Sequence, residues 1–193
     1  MLQRLPLVPT LLVLAAVGVM IRLGFWQIDR LHEKEALLAS YEAAASSGEE
    51  AAWPHDPEQA DALLYHRTKV RCVDVSGLSS ISGRNAEGEA GLAQAADCRL
   101  ADGGEARVIL GWSRAPDVPD WQGGDVAGII APGPRLVADP PLAGLAANAR
   151  PDPSEVPNNH LAYAVQWFLF AAVALVIYVL ALRKRLADRR GER

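Results

Sequence analysis

Hydrophobic residues crowd the two ends of this chain and thin out between them. Near the start, Leu5–Ile21 is uncharged, with Arg4 before it and Arg22 after it. Carried on to Gln27, the run is long enough to cross a membrane if Arg22 extends its charge to the interface. Near the end, Leu161–Leu182 is 22 residues without a charge, about what a helix needs to cross a hydrocarbon core of roughly 30 Å. Asn158 and Asn159 follow Pro157 and are N-cap candidates, since a short side chain can accept from the free N–H groups of a first turn. Arg183-Lys184-Arg185 stops the run and anchors it.

Between these spans the period changes. Ile28, Leu31, Leu38, Tyr41 and Ala45 recur at helical spacing with Glu and Lys opposite them, which predicts an amphipathic helix ending at Ser46-Ser47-Gly48. Residues 47–62, with Pro54 and Pro57, read as a loop. Leu64–Val75 alternates β-branched and polar residues and stops before Gly77. Shorter strand candidates are Leu92–Leu100, Ala106–Trp112, Val126–Ile130 and Arg135–Val137, punctuated by Gly and Pro. Residues 141–157 form an Ala/Pro-rich return. The expected class is membrane α+β, with two transmembrane helices flanking a small β-rich periplasmic domain. The divisions are 1–28 (first span), 29–46 (membrane-proximal helix), 47–156 (β-rich domain), 157–182 (second span) and 183–193 (basic tail).

Charge sets the expected topology. The tail carries Arg183, Lys184, Arg185, Arg189, Arg190 and Arg193, an excess that belongs in the cytoplasm and outvotes Arg22, Arg30 and Lys34. Two spans then place both termini in the cytoplasm and the middle of the chain in the periplasm. A cleaved signal peptide is the rival for the first span, but no clear small-x-small site precedes Arg22. The start is too short and too poor in Arg and Ser for a mitochondrial transit peptide, so a bacterial inner membrane is expected. The net charge is −4; with a basic tail, the middle is more acidic still, which argues against nucleic acid. All three phenylalanines lie in or beside the spans. The outer domain must therefore build a thin core from Val, Leu, Ile, Ala, Trp53, Trp112 and Trp121, and is expected to lean on the membrane-proximal helices or on a partner. Cys72 and Cys98 form a disulfide in an oxidising compartment or remain two free thiols; no Cys-x-x-Cys is present.

The candidate chemistry lies on the second span. At about 100° per residue, His160, Tyr163, Ala164, Trp167, Ala171, Ala174 and Tyr178 share one face, and Ala162, Val165, Leu169, Val173 and Val176 the opposite one. Small residues admit a close neighbour, a helix or a flat ligand, and an imidazole above them is a potential iron or metal ligand. The plainer reading of the same helix makes His160 an interfacial residue and the aromatics a belt. Elsewhere, His55 and His66 lack ligand spacing. Gly111-Trp112-Ser113-Arg114-Ala115 departs from a nucleophile elbow at its last residue.

The two ends together are more specific than either alone. Gly24-x-Trp26-Gln27-x-x-Arg30-x-x-x-Lys34 after a first span, and Asn158-Asn159-His160-Leu161-x-Tyr163-Ala164-x-x-Trp167-Phe168 opening a second, closely resemble the surfeit locus protein 1 family. The resemblance is carried by residues 22–41 and 157–180. Between them, Leu110-Gly111-Trp112-Ser113-Arg114-Ala115-Pro116 keeps the Gly-Trp of a family stretch. The resemblance implies two membrane helices around an external, mostly β domain, and a chaperone role in assembling haem-copper cytochrome c oxidase for the respiratory chain. It also implies transient binding of haem a and its transfer to the catalytic subunit. His160 falls at the position of the proposed axial haem iron ligand. Tyr163, Ala164 and Trp167 are then expected to line the macrocycle, with Trp26 and Phe25 closing the other side, and Arg22 and Arg30 near the propionates; snorkelling is the plainer role for Arg22. Expected partners are oxidase subunit I, haem a synthase and membrane lipid. No activated nucleophile or acid–base pair accompanies the histidine, so carriage rather than catalysis is expected. A haem-free scaffold docked on oxidase subunits is the alternative, and a redox role for Cys72 and Cys98 a third.

Overall fold

A computed structural model describes residues 6–116 and 118–191. Arg4, Leu5 and Arg193, used above, lie outside the described residues, as do the side chains of Arg189 and Arg190. The chain divides into a helical unit, up to Leu37 and from Pro157 onward, and a second unit, Leu38–Val156.

The helical unit pairs α1 (Leu7–Ser47) with α3 (His160–Gly191); both are long and apolar enough to cross a membrane. α1 is one unbroken helix, so the spanning and membrane-proximal segments expected separately are continuous. Its less exposed residues within this unit include Thr10, Val13, Val17, Met20, Gly24, Gln27, Leu31 and Lys34, in alternating steps of three and four as a helix-pair seam requires, with Leu23 and Ile28 at its margins. On α3 the covered residues include Ala164, Ala171, Ala174 and Tyr178. Ala162, Val165, Leu169, Val173 and Val176 are all exposed, as is Tyr163, which the sequence pattern sets on the other face. The helices run antiparallel: Thr10 Oγ1 lies 2.5 Å from Tyr178 Oη, while at the other end Gln27 meets His160. Gly24 is buried because a Cβ there would come within 2.7 Å of the Phe168 ring.

The second unit is a closed five-stranded barrel of β1 (Arg67–Arg84), β2 (Ala90–Leu100), β3 (Glu105–Ser113), β4 (Gly124–Ala131) and β5 (Arg135–Ala138), in the order β1-β2-β3-β5-β4. All pairs are antiparallel except β3–β5. Closure leaves no long unpaired edge. β1 runs past Gly77, where the sequence pattern stops it, because register shifts at Cys72/Asp74 and Val75/Gly77 absorb the irregularity and let the strand bend. A short helix, α2 (Pro57–Ala62), capped by Asp56 Oδ1 accepting from Glu58 N–H, occupies what reads as loop.

The core combines Val108, Leu110, Val126, Ile130 and Leu136 from the strands with Trp53, Leu64 and Tyr65 from the segment before β1. Tyr41 and Ala44, from the end of α1, complete it, so the barrel does lean on helix residues; Ala44, not Ala45, faces inward. Cys72 and Cys98 are joined in a buried disulfide with Cα atoms 5.5 Å apart. The Gly-Trp pair has a packing role. A Cβ on Gly111 would meet Leu145 Cβ at 2.4 Å and Ala146 O at 2.9 Å. Its absence lets the returning chain cross β3, and Trp112 bonds that chain through Ala146 in both directions. Ser113 Oγ donates to Ala115 O and accepts from Gln94, so the elbow-like sequence holds no free nucleophile.

Candidate functional site

The candidate site lies within the helical unit, where the C-terminal end of the first apolar run meets the N-terminal end of the second. His160 is the first residue of α3, and its position opposite Gln27 follows from the seam spacing on both helices. Nδ1 of His160 is 2.8 Å from Oε1 of Gln27. A carboxamide oxygen only accepts, so Nδ1 donates to it, and in the neutral ring that tautomer leaves the lone pair on Nε2. Among the described residues no protein group engages Nε2. A neutral imidazole anchored through one nitrogen, with the other available, is how histidines that ligate metals are commonly oriented.

The surrounding side chains divide between the two flanks of the helix pair. Phe25 and Phe168 meet edge to face, with centroids 5.4 Å apart and planes at 76°, and so close one flank. On the helical wheel Phe168 lies on one side of α3's covered stripe, and Tyr163 and Trp167 on the other. In an antiparallel pair the Phe25–Phe168 contact therefore leaves Tyr163 and Trp167 on the second flank with Arg30 of α1, while Trp26 lies further round α1, away from its covered stripe and not with Phe25. Tyr163 and Trp26 are 52% and 43% exposed; Trp167 is half-buried and meets Phe170 edge-on. Arg30 lies 5.8 Å from the Trp26 ring centroid and pairs with Glu33 at 2.5 Å. Both members of that pair are exposed, so the bond is weak and the guanidinium is available to a stronger carboxylate.

Three expectations change with this arrangement. Ala164 is only 1% exposed, covered along the helix seam, so it underlies the site and cannot line a ligand face. Phe25 closes the flank opposite Tyr163 and Trp167 instead of the far side of a shared pocket. Arg22 is exposed and, by helical spacing, points away from the Met20–Gly24–Gln27 stripe; the structure does not gather it with His160. Gln27 is the residue that the structure sets against His160 and that the sequence left without a role. It was visible only as half of the Trp26-Gln27 pair.

Elsewhere, His55 Nε2 is 3.2 Å from Asp102, and a hollow of about 660 Å³ near it has among its lining the ion pairs Asp74–Arg99 and Asp97–Arg107. No group of three or more His, Cys, Asp or Glu placed to hold a metal ion occurs among the described residues.

With the fold and this geometry in hand, the comparison with known proteins is decisive. A family profile described as the SURF1 family matches residues 14–172. The chain belongs to the SURF1 family. No curated relative matches it. Membership in the SURF1 family, together with the two apolar helices, makes this a membrane-associated protein with a role in cytochrome oxidase assembly. The profile match covers both Gln27 and His160.

Proposed function

We propose that this SURF1 family protein carries haem a on His160 Nε2 and delivers it to the catalytic subunit of cytochrome oxidase, without catalysing a reaction itself. The observation that supports this reading is the 2.8 Å contact between His160 Nδ1 and Gln27 Oε1, which directs the protonated nitrogen inward and leaves the other as a donor. Haem a, when bound, supplies an iron that takes an imidazole nitrogen and propionates that take guanidinium partners. The residues present fit that group. Gln27 holds the imidazole in one tautomer, Tyr163 and Trp167 offer apolar ring surface on the same flank, and Arg30 is the nearby cation. A single nitrogen donor on a half-open flank suits reversible carriage better than an enclosed two-histidine cage.

The same proposal includes topology and partners: both termini cytoplasmic, the barrel in the periplasm of a bacterial cell, oxidase subunit I as recipient and haem a synthase upstream. The cation-rich sequence after Leu182 supports that orientation. The competing scaffold reading needs the small-residue face of α3 for a partner helix. Ala164 and Ala171, at 1% and 4% exposure, are already covered within the chain, so that face is spent internally.

The deciding experiment purifies the full chain from cells that make haem a and compares it with His160→Ala. A Soret band in the parent that is lost in the variant supports the assignment. Equal haem content in both removes His160 as ligand, and a parent without haem favours the scaffold.

A further inference from the structure

The face of α1 turned away from the helix seam carries two residues that the haem reading leaves aside. At about 100° per residue, Arg22 lies opposite the covered Val17–Met20–Gly24–Gln27 stripe, and Trp26, one turn on, lies beside it. Both are exposed, and Arg22 has no hydrogen-bond or ion-pair partner among the described residues. Arg22 is the one charged residue from Leu7 to Ile28. The next charge, Asp29, stands two turns further on, about 10 Å along the axis.

Snorkelling alone leaves this arginine unpaired. A helical side chain leaves its Cα tilted toward the helix N-terminus. Arg22 is near the C-terminal end of the apolar run, so its side chain sets out toward the bilayer centre, whichever side of the membrane that end faces. The way back to the headgroups passes Trp26, which is 43% exposed and has Arg30 over its ring at 5.8 Å. A guanidinium held there without a carboxylate is costly unless an anion comes to it. Below it the helix surface is cut away. Gly18, one turn toward the N-terminus, has nothing within 4 Å of where a Cβ would stand, and Ala15 follows on the same side. Leu14 and Val19, 52% and 59% exposed, rise on either flank. A shallow furrow therefore runs from the guanidinium down the apolar helix.

We propose that this face of α1 holds one anionic phospholipid. Arg22 takes the phosphodiester, the Trp26 indole N–H donates to a second phosphate oxygen, and an acyl chain lies over Gly18 and Ala15. Arg22 has no carboxylate of its own, so a net negative headgroup neutralises it, whereas a zwitterionic one brings a further cation. Lipid surrounds every uncovered face of a spanning helix, which makes it a better occupant than a partner helix. The inference rests on α1 spanning the membrane and is independent of haem.

The test uses the full chain, stripped of lipid in detergent, with Arg183→Gln, Lys184→Gln and Arg185→Gln in every sample so that the basic tail does not compete for anions. Native mass spectrometry counts the lipid retained from an equimolar mixture of phosphatidylglycerol and phosphatidylcholine with the same chains. One phosphatidylglycerol per chain is expected, preferred about fivefold, the effect of one cation at an anionic surface. Arg22→Gln is expected to abolish the preference. Gly18→Leu, which fills the furrow and leaves Arg22 in place, is expected to reduce retention of both lipids. Both positions lie away from the seam, and an unchanged far-ultraviolet spectrum checks that the helices are intact. Glycerol 3-phosphate at about 1 mM, the anion without the chains, is expected not to displace the lipid. Equal retention of the two lipids in the parent overturns the proposal and leaves Arg22 to a carboxylate on a partner helix. A preference that survives Arg22→Gln overturns it as well. Full retention in Gly18→Leu, or displacement by glycerol 3-phosphate, overturns the acyl-chain contact. The samples contain no haem, so this proposal and the haem proposal fail separately.

Discussion

His160 Nδ1 and Gln27 Oε1, 133 residues apart in sequence, are 2.8 Å apart in the helix pair. The bond fixes which imidazole nitrogen is protonated, and it does so without adding a charge. Gln27→Leu removes the acceptor while preserving bulk and the apolar surroundings. The ring is then free to change tautomer and to rotate, and haem affinity is expected to fall about 10- to 100-fold, the usual effect of losing such a support. Gln27→Glu keeps an acceptor at the same reach and is expected to retain binding. Titration of haem into the detergent-solubilised chain, followed at the Soret maximum, measures both. Unaltered affinity in Gln27→Leu would mean that the bond has no part in ligation.

The disulfide joins residues separated by 26 positions and is buried in the barrel core. Loop-closure arguments place its contribution to stability at about 3 kcal/mol. Cys72→Ser with Cys98→Ser is expected to lower the barrel's denaturant midpoint accordingly, and to leave haem binding per folded molecule unchanged. Denaturation followed by tryptophan fluorescence, with haem titration of the same samples, tests both statements. Retained stability but lost electron-transfer activity would instead favour the redox reading of these cysteines.

The strands were readable because Gly and Pro punctuate short apolar runs: four of the five candidates match observed strands to within a few residues. The pattern failed at Gly77, where a glycine that reads as a stop is absorbed by bulges in a longer strand. It could not reveal the parallel β3–β5 contact that helps close the barrel, since strand order depends on long-range pairing rather than local period. The cysteine pairing was open for the same reason: spacing of 26 residues carries no distance. The covered face of α3 was legible from small residues alone. The role of Gln27 was not, because a glutamine at the end of an apolar run equally well faces water.

Tyr65 gives the barrel an alkaline limit. Burial raises its phenol above the ordinary value of 10.0, with Tyr41, Asp152 and Glu155 adding smaller repulsions. A raised value in the folded state means that folding favours the neutral phenol. Its stabilising share is full below the unfolded value and is lost as pH rises through the folded one. The barrel is therefore expected to weaken above pH 10, and Tyr65→Phe to remove part of that dependence. Denaturant midpoints at pH 8 and near pH 11 (roughly one unit past the unfolded value) provide the check. An identical alkaline drop in both proteins would show that Tyr65 does not set it.

Gly111 supports the barrel by being small. A Cβ there would collide with Leu145 Cβ at 2.4 Å and with the Ala146 carbonyl at 2.9 Å, and that carbonyl accepts the Trp112 N–H. Gly111→Ala must displace backbone as well as a side chain, so a loss of about 1–3 kcal/mol is expected, read as a lowered denaturant midpoint and faster proteolysis of the 142–149 segment. A neutral effect would mean that the returning chain is free to move away from β3.

The two flanks of the helix pair make opposite predictions for their aromatics. Trp167 lies on the flank with Tyr163, half-buried, while Phe168 packs against Phe25 and over Gly24. Trp167→Ala removes ring surface beside the imidazole but little of the seam, so it is expected to weaken haem binding about tenfold, about 1.4 kcal/mol, with helix pairing intact. Phe168→Ala removes the contact that closes the other flank, so it is expected to loosen the pair first. Limited proteolysis of the detergent-solubilised chain reads helix pairing, and Soret titration reads the ligand. If Phe168→Ala weakened haem binding more than Trp167→Ala while protease resistance stayed at the parent level, the ligand would belong on the Phe25 flank, and the assignment of Tyr163, Trp167 and Arg30 to its site would be wrong.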